Sequence, residues 1–263
     1  MKATRFKGIL LIILALLNAF LLILLLVQQS QQRNADRRSV EELSLLYEKN
    51  GISLSADQIP QSRTVYVPSI RRNRTEEAAF AQSLLGSVET ASDESGVYRY
   101  HNESGFCRIR ANGTVDALCQ CKIKDIASFC RNLEKDFGYR EIFFNVKDGS
   151  GTVKAERVID KIPMSNATLI FTFQDQFLTA VSGTFLPKED SKSITVSLDT
   201  LSAMVTFLNY RNTSGLVCTK IENISVCYYA ENTAAALSII PAIRIETNVA
   251  TYYVNPVNNT VFR

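Results

Sequence analysis

An unbroken apolar segment near the start of this chain limits the structures that it can adopt. Residues Gly8 to Val27 carry no charged side chain and only one amide, that of Asn18. At about 1.5 Å per residue, a helix of this length spans the roughly 30 Å hydrocarbon core of a bilayer. A cleaved signal peptide has a shorter apolar region and a small-residue cleavage site, whereas polar glutamines follow here. The sequence therefore predicts a transmembrane signal anchor over 8–27, with a cleaved signal peptide as the alternative.

Basic residues before the segment predict its orientation. Lys2, Arg5 and Lys7 precede it, and positive charge favours the cytoplasmic side of a membrane helix. Arginines also follow the segment, but a large C-terminal domain is translocated despite nearby charge. We therefore predict a single-pass protein of the cell membrane, with a cytoplasmic tail over 1–7 and extracytoplasmic C-terminal domains.

The net charge argues against one class of partner. The chain has a formal charge of +3, which the basic residues of the tail account for. The part outside the membrane is therefore close to neutral, unlike the strongly basic surface of a nucleic-acid-binding protein. The membrane is an expected partner, and nucleic acid is not.

One face of the predicted membrane helix combines small and polar residues. Ala15 and Ala19 form a small-xxx-small pair, and Asn18 lies beside them. Small residues allow two membrane helices to approach closely, and a membrane-buried amide forms hydrogen bonds across such an interface. We predict that Ala15, Asn18 and Ala19 contact a partner in the membrane. A single helix that tolerates its asparagine is the alternative.

A stalk is predicted between the membrane and the folded part of the chain. Ser39 to Glu42 form a capping box ahead of a short helix at about 40–49. The next residues include Pro60 and Pro68, which indicate an extended connection. We assign 28–74 to this stalk helix and connection.

The rest of the chain mixes strand and helix patterns. Strand-like runs surround the amphipathic helix near 123–137, and the Asn112-Gly113 pair is a strong hairpin signal. Short loops between strands indicate an α+β fold with antiparallel sheets. The length suits two extracytoplasmic units, each an antiparallel sheet with packed helices. We place them at 75–150 and 151–263, divided at Asp148 to Gly151.

The C-terminal residues are expected to form the closing strands of the second unit. Pro241 should begin a strand in which Ile243 and Ile245 face a helix at 200–209. Asn258-Asn259 tolerates the positive φ of a tight turn, so the last residues should fold back on the preceding strand.

A disulfide is predicted from the spacing of two cysteines. If Glu222-Asn223 is a two-residue hairpin turn, Cys218 and Cys227 oppose each other at about 4.5 Å between Cα atoms. This separation is at the near limit of disulfide geometry. Two unpaired thiols are the alternative.

No catalytic constellation stands out. His101 is the single histidine and is expected in an exposed loop, and no nucleophile or phosphate-loop motif is present. The spacing of four further cysteines departs from structural zinc patterns, which favours core thiols or a disulfide. The four cysteines are Cys107, Cys119, Cys121 and Cys130. We therefore predict that the protein is not an enzyme and that it has no metal, no cofactor and no small-molecule substrate.

An ordered set of segments resembles a known family. These segments are the membrane anchor, the helix ending in Asn50-Gly51-Ile52, the run LIFTFQDQFLTAVSGTFLP, the helix TLSAMVTFLN and the Tyr252–Asn255 run after Pro241. Together they are similar to the YycI family, bitopic membrane regulators of Gram-positive bacteria. The family more often has tryptophan where this chain has Ile243.

The resemblance implies a regulator rather than a catalyst. Members of the family act with the related YycH on the sensor histidine kinase of a two-component system (YycFG, also WalKR) that governs cell-wall metabolism. A sensor histidine kinase and a YycH-like protein are thus the implied partners, contacted through membrane helices and exterior domains. The resemblance also implies two α+β units.

Other functions stay open on sequence grounds. A non-catalytic envelope binding or scaffold protein would also need an anchor and an exterior fold without catalytic groups. A surface-displayed adhesin or glycoprotein is a further alternative because seven N-x-[ST] sequons occur. They start at Asn73, Asn102, Asn112, Asn166, Asn212, Asn223 and Asn258.

Overall fold

The computed structural model describes residues 17–18, 20–24, 35, 37–92, 96–232 and 237–263. The N-terminal helix of the folded body, α1, covers 37–49, and a 3₁₀ turn follows at Ala56–Gln58. The other helices are α2 (Arg74–Leu85), α3 (Ile126–Phe137) and α4 (Thr200–Ser214). The strands are β1 (Arg63–Ser69), β2 (Glu89–Ser92), β3 (Tyr98–Asn102), β4 (Gly105–Ile109), β5 (Thr114–Lys122), β6 (Tyr139–Lys147), β7 (Ser150–Ile159), β8 (Ile162–Gln174), β9 (Phe177–Thr184), β10 (Ser191–Leu198), β11 (Ile221–Asn232), β12 (Leu237–Thr247), β13 (Thr251–Asn255) and β14 (Thr260–Phe262).

Antiparallel pairing dominates the sheets, as predicted. Ten strands follow the order β14-β13-β12-β11-β8-β9-β5-β4-β3-β2, while β7 joins the sheet at β8 and carries β6 on its other side. Strands β1 and β10 form a separate antiparallel pair. A single parallel contact, Tyr228 with Met164, links β11 to β8. The predicted α+β class with antiparallel sheets is confirmed.

Local sequence signals explain the helix ends in the first half. Asp125 caps α3, since its side chain accepts a hydrogen bond from the Ser128 amide. Gly138 adopts φ +69 just after the helix, a left-handed conformation that glycine takes without strain. Between these ends, Ile126, Cys130 and Leu133 turn one apolar face toward the sheet. The amphipathic helix predicted in this region is confirmed.

Buried side chains fall into two clusters. The first core packs α2 and α3 against strands β3 to β9, and the second core packs α1, β1 and α4 against β10 to β13. The hairpin of β7 and β8 belongs to both, since Val153 and Leu169 lie in the first core and Ile159 and Met164 in the second. The two cores therefore share a continuous sheet.

The predicted unit boundary does not coincide with the border between the cores. Asp148 and Gly149 form the tight turn of the β6–β7 hairpin, with Lys147 paired to Ser150. Tyr139 and Val153, on opposite sides of this turn, are fully buried in the first core. Two separately folding units stay a prediction, and Asp148 to Gly151 does not mark the border between the cores.

The predicted stalk is integrated into the second core. Leu43 and Tyr47 of α1, Ile52 and Ile59 of the connection, and Val65 of β1 are all buried there. Strand β1 pairs with β10, more than a hundred residues further along the chain. The apolar face of a helix is stabilised when other elements cover it and exclude water. The apolar face of α1 is buried in the core to which α4 and β12 belong.

The predicted capping box is wrong. Helix α1 already includes 37 and 38, so Ser39 lies inside it. The Ser39 hydroxyl donates to the Ala35 carbonyl oxygen at 3.1 Å, an interaction along the helix rather than a cap.

The C-terminal strands follow the prediction in most respects. Ile243 and Ile245 are fully buried in the second core, and β14 folds back on β13 through a turn in which Asn259 has φ +55. Pro241, however, lies in the middle of β12 rather than at its start. It is tolerated because β13 pairs with β12 only from Ile243 onward, so that on this edge no described strand pairs with Pro241.

Candidate functional site

The predicted membrane contact falls largely outside the described residues. Ala15 and Ala19 are not among them, while Asn18 is in helical conformation, as are 17 and 20–24. Phe20 and Leu22 in this stretch expose about three-fifths of their surface (58% and 61%). Among the helices that the structure describes, none is both long and apolar enough to cross a membrane.

Helix α1 connects the N-terminal region to the folded body at a fixed point. Tyr47 is fully buried, and its hydroxyl donates to the carbonyl oxygen of Met204 in α4 at 2.8 Å. The Ser44 hydroxyl donates to the Leu54 carbonyl oxygen at 2.7 Å. Burial raises the pKa of Tyr47, so its hydroxyl stays a donor at neutral pH. The chain therefore enters the second core through a packed helix.

The predicted Cys218–Cys227 hairpin is wrong. Residues Ile221–Asn232 form one strand, and β12 is its partner along the whole length. Glu222 is accommodated at an irregularity in the register and does not start a turn. Cys227 lies six residues beyond Ile221, the first residue of this strand, which is about 20 Å along it. Cys218 precedes the strand, so the two cysteines do not face each other across a hairpin.

The two thiols are free and have different surroundings. Cys218 lies in the second core near Tyr47 and Arg211, whereas Cys227 is close to Ser165 and Arg244. The structure therefore does not bring together the disulfide pair that the sequence suggested. Cys107, Cys119, Cys121 and Cys130 are free as well, and three of them are buried in the first core.

Burial changes the acidity of these thiols. It raises the pKa of Cys107 and Cys119 to about 12 and that of Cys130 and Cys227 to about 11. The free energy that these protonated thiols contribute to folding is fully present below their unfolded pKa of about 9. This contribution is lost as the pH rises above 9 and through the pKa values of the thiols in the folded protein.

We expect iodoacetamide to discriminate among these thiols at pH close to neutral. A thiol whose pKa is raised from 9 to 12 has about a thousandfold less thiolate, the reactive form. Cys121 is the most accessible cysteine and should be alkylated first, while Cys107 should react only after unfolding in urea. Peptide mass spectrometry after timed labelling measures both rates. Equal labelling of Cys107 and Cys121 in the folded chain would contradict the prediction that burial protects Cys107.

A cleft lies where three distant chain segments converge next to both cores. It has a volume of about 500 Å³ and lies between 69–72, the turn 111–113 and the extended segment 185–187. Ile70 and Leu186 on its wall belong to the second core, and Phe185 belongs to the first. The cleft is therefore formed by the junction of the two cores.

An ion pair lies on one side of the cleft. Arg72 donates through Nε to Glu77 Oε1 at 2.7 Å and through Nη2 to Oε2 at 3.1 Å. Its other hydrogen bonds go to the carbonyl oxygens of Gly96 and Ile109, and its guanidinium lies 4.8 Å from the Tyr98 ring centre. Glu77 is almost fully buried, so this bidentate pair fixes the start of α2 to the sheet.

Another arginine, which is buried, holds the segment that leaves the cleft. Arg157 of β7 is 3% exposed and donates to the Phe137 carbonyl oxygen, at the C-terminus of α3, at 2.6 Å. A cation is favourable at that end of a helix. Arg157 also donates to Glu189 Oε2 at 3.3 Å. Strand β7, helix α3 and the segment after the cleft are thereby connected.

The geometry around the cleft is suited to binding. The structure describes no group of three or more His, Cys, Asp or Glu side chains that could hold a metal ion. His101 lies in β3 rather than in a loop, and its Nε2 is 3.9 Å from the Glu89 carboxylate.

Sequence reasoning missed the cleft because only the Asn112-Gly113 turn carries a local signal. Its other walls depend on contacts between residues far apart in the chain.

Comparisons with known proteins give distant structural likenesses. No family model matches the sequence, and no curated protein matches it. The crystal structure of an uncharacterized protein from Eubacterium rectale resembles this chain with a TM-score of 0.45 at 11% identity, over 78% of this chain and 86% of that one. YycH from Bacillus subtilis resembles it with a TM-score of 0.41 at 14% identity, over 73% of this chain and 52% of that one. Likenesses of this degree do not establish a shared function.

Proposed function

We propose that this protein is a membrane-anchored accessory regulator of a sensor histidine kinase. In this proposal residues 8–27 span the cell membrane once with the N-terminus in the cytoplasm. The α+β body lies outside, and both parts contact the kinase and a YycH-like protein. The protein transmits or adjusts a signal and performs no chemistry of its own.

The docking of α1 is the observation that supports this proposal best. Nine residues, 28–36, separate the predicted anchor from this helix, which Leu43 and Tyr47 fix in the second core. A flexible linker would let the membrane segment and the body move independently. A packed helix instead restricts how the body moves relative to the chain that enters it, which a regulator working through both parts requires.

The identity of the partners rests on the resemblance to the YycI family. That resemblance covers the anchor and most of the second half of the chain. The body adds surfaces suited to binding, since large apolar side chains remain exposed on strand β6.

Deleting the gene should change the phosphorylation of the partner response regulator. We expect its phosphorylated fraction and the transcripts of wall hydrolases to shift together, and the full-length chain to restore both. A chain in which 1–27 is replaced by an unrelated anchor should reach the membrane but fail to restore them. Unchanged phosphorylation in the deletion strain, measured on phosphate-affinity gels, would count against a regulatory role.

A non-catalytic envelope scaffold is the second candidate, and strand β6 favours it. This strand pairs with β7 alone among the described strands and exposes Ile142, Phe143 and Phe144. An exposed apolar edge strand is suited to a lasting protein contact. Co-purification with an envelope complex, and not with a kinase, would support this alternative.

A further inference from the structure

We infer that the cleft between the two cores binds a small molecule with an apolar body and one carboxylate group. Its volume of about 500 Å³ lies within the range of small-molecule sites, roughly 300–1,000 Å³. Such sites are largely apolar, with a few polar groups that orient the ligand. Nothing in the proposed regulatory role requires this ligand, so the two proposals stand separately.

The apolar wall of the cleft is rigid. Phe185, Leu186 and Pro187 are buried, and the Phe185 ring stacks on Phe80 at 4.4 Å between ring centres. The Leu186 amide donates to the Tyr139 hydroxyl oxygen at 2.7 Å, and that hydroxyl donates to the Thr184 carbonyl oxygen. A wall held this way does not need to be ordered when a ligand binds, which lowers the cost of binding.

Charge at the cleft favours an anion. Arg72 and Glu77 neutralise each other, and the Arg72 guanidinium already donates to four oxygens. Arg71 is exposed and lines the cleft, and it forms no ion pair with any residue that the structure describes. A carboxylate next to Arg71 would form a charge-assisted hydrogen bond, whereas an ammonium group would be repelled.

The main chain beside Arg71 offers further donors. Within the described parts of the chain, no residue accepts a hydrogen bond from the amide of Ile70 or that of Arg71. Ile70 is 5% exposed, and buried amides are nearly always paired with protein, water or ligand. A carboxylate can accept several hydrogen bonds at once, so main-chain donors add to the preference that the Arg71 guanidinium creates. A neutral apolar molecule would leave them unpaired.

Calorimetry with three matched probes tests the ligand class. The full-length chain in lipid nanodiscs is titrated with 4-phenylbutyrate, with 4-phenylbutan-1-ol and with 4-phenylbutylamine. These probes share one apolar body and differ only in the terminal group. We expect the carboxylate to bind about tenfold or more tightly than the alcohol, and the amine to show no binding. No binding of 4-phenylbutyrate at millimolar concentration, or equal binding of acid and alcohol, would overturn the inference.

Three variants test the location. Arg71→Gln should weaken 4-phenylbutyrate about tenfold or more and leave the alcohol unchanged. Ala111→Phe should fill the cleft and abolish binding of both. Arg74→Gln is the matched control, because Arg74 lies 4.6 Å from the Tyr98 ring centre and does not line the cleft. Thermal unfolding checks that each variant folds. If Ala111→Phe does not fold, the affinity of Arg71→Gln alone tests the location, since Arg71 is exposed. Full affinity of Arg71→Gln for 4-phenylbutyrate would refute the site.

Discussion

A chain that ends at Ala242 is expected to lose its folded second core completely. The truncation removes four side chains that are at most 4% exposed there. Burying one such side chain contributes about 1.5–3 kcal/mol, so the loss is about 6–12 kcal/mol. Whole domains are stable by only about 5–15 kcal/mol. The four side chains are those of Ile243, Ile245, Tyr252 and Val254.

A shorter truncation provides the matched control. A chain that ends at Asn259 lacks only β14, whose Val261 and Phe262 are half-buried. It keeps Tyr252 in contact with Phe207 of α4 at 5.4 Å between ring centres. We expect it to fold with reduced stability.

Circular dichroism and trypsin resistance of the two purified truncated proteins distinguish these outcomes. The chain ending at Ala242 should lose the strand signal of the second core and be digested rapidly, whereas the longer chain should resist. A chain ending at Ala242 that unfolds at the same temperature as the full-length protein would show that the C-terminal strands are dispensable.

Local patterns predicted the elements that depend on neighbouring residues. The Asn112-Gly113 hairpin, the α3 helix and the turn at Asn259 are each specified by residues within a few positions. For such elements the sequence contains the whole physical cause.

Long-range pairing explains where local patterns failed. Glu222 and Asn223 looked like a turn, but eleven residue pairs with β12 keep β11 continuous through them. A turn there would break the pairs of Ile221 with Thr247 and of Asn223 with Glu246. It would also bring the preceding residues back along the edge of β11 that contacts β8 at Met164. Long-range pairing also decides where proline is tolerated. Pro241 fits within β12 because β13 pairs with this strand only from Ile243 onward.

The candidate site was beyond sequence reasoning for a related reason. The cleft needs residues near 70, 112 and 186 in one place, and no period or motif relates them. The docking of α1 on α4 likewise joins Tyr47 to Met204, 157 positions apart. The membrane face at Asn18, in contrast, was proposed from helical spacing alone and stays a prediction.

We expect the membrane face at Asn18 to hold a partner helix. In the predicted anchor, Asn18 lies next to the small residues Ala15 and Ala19. An amide at a helix interface in the membrane contributes about 0.6–2 kcal/mol through hydrogen bonds to a partner helix. Because helix α1 is fixed in the folded body, partner contact at this face and contact by the body should occur in one complex.

Photocrosslinking from position 18 in living cells tests whether the predicted membrane helix contacts the proposed partners. A photoreactive residue replaces Asn18 in one strain and Phe20 in another, since two helical residues differ by about 200° in direction. Mass spectrometry then identifies the captured proteins. We predict that position 18 captures a sensor histidine kinase or a YycH-like protein and that position 20 captures far less. Equal capture from both positions, or products from position 18 without either partner, would contradict it.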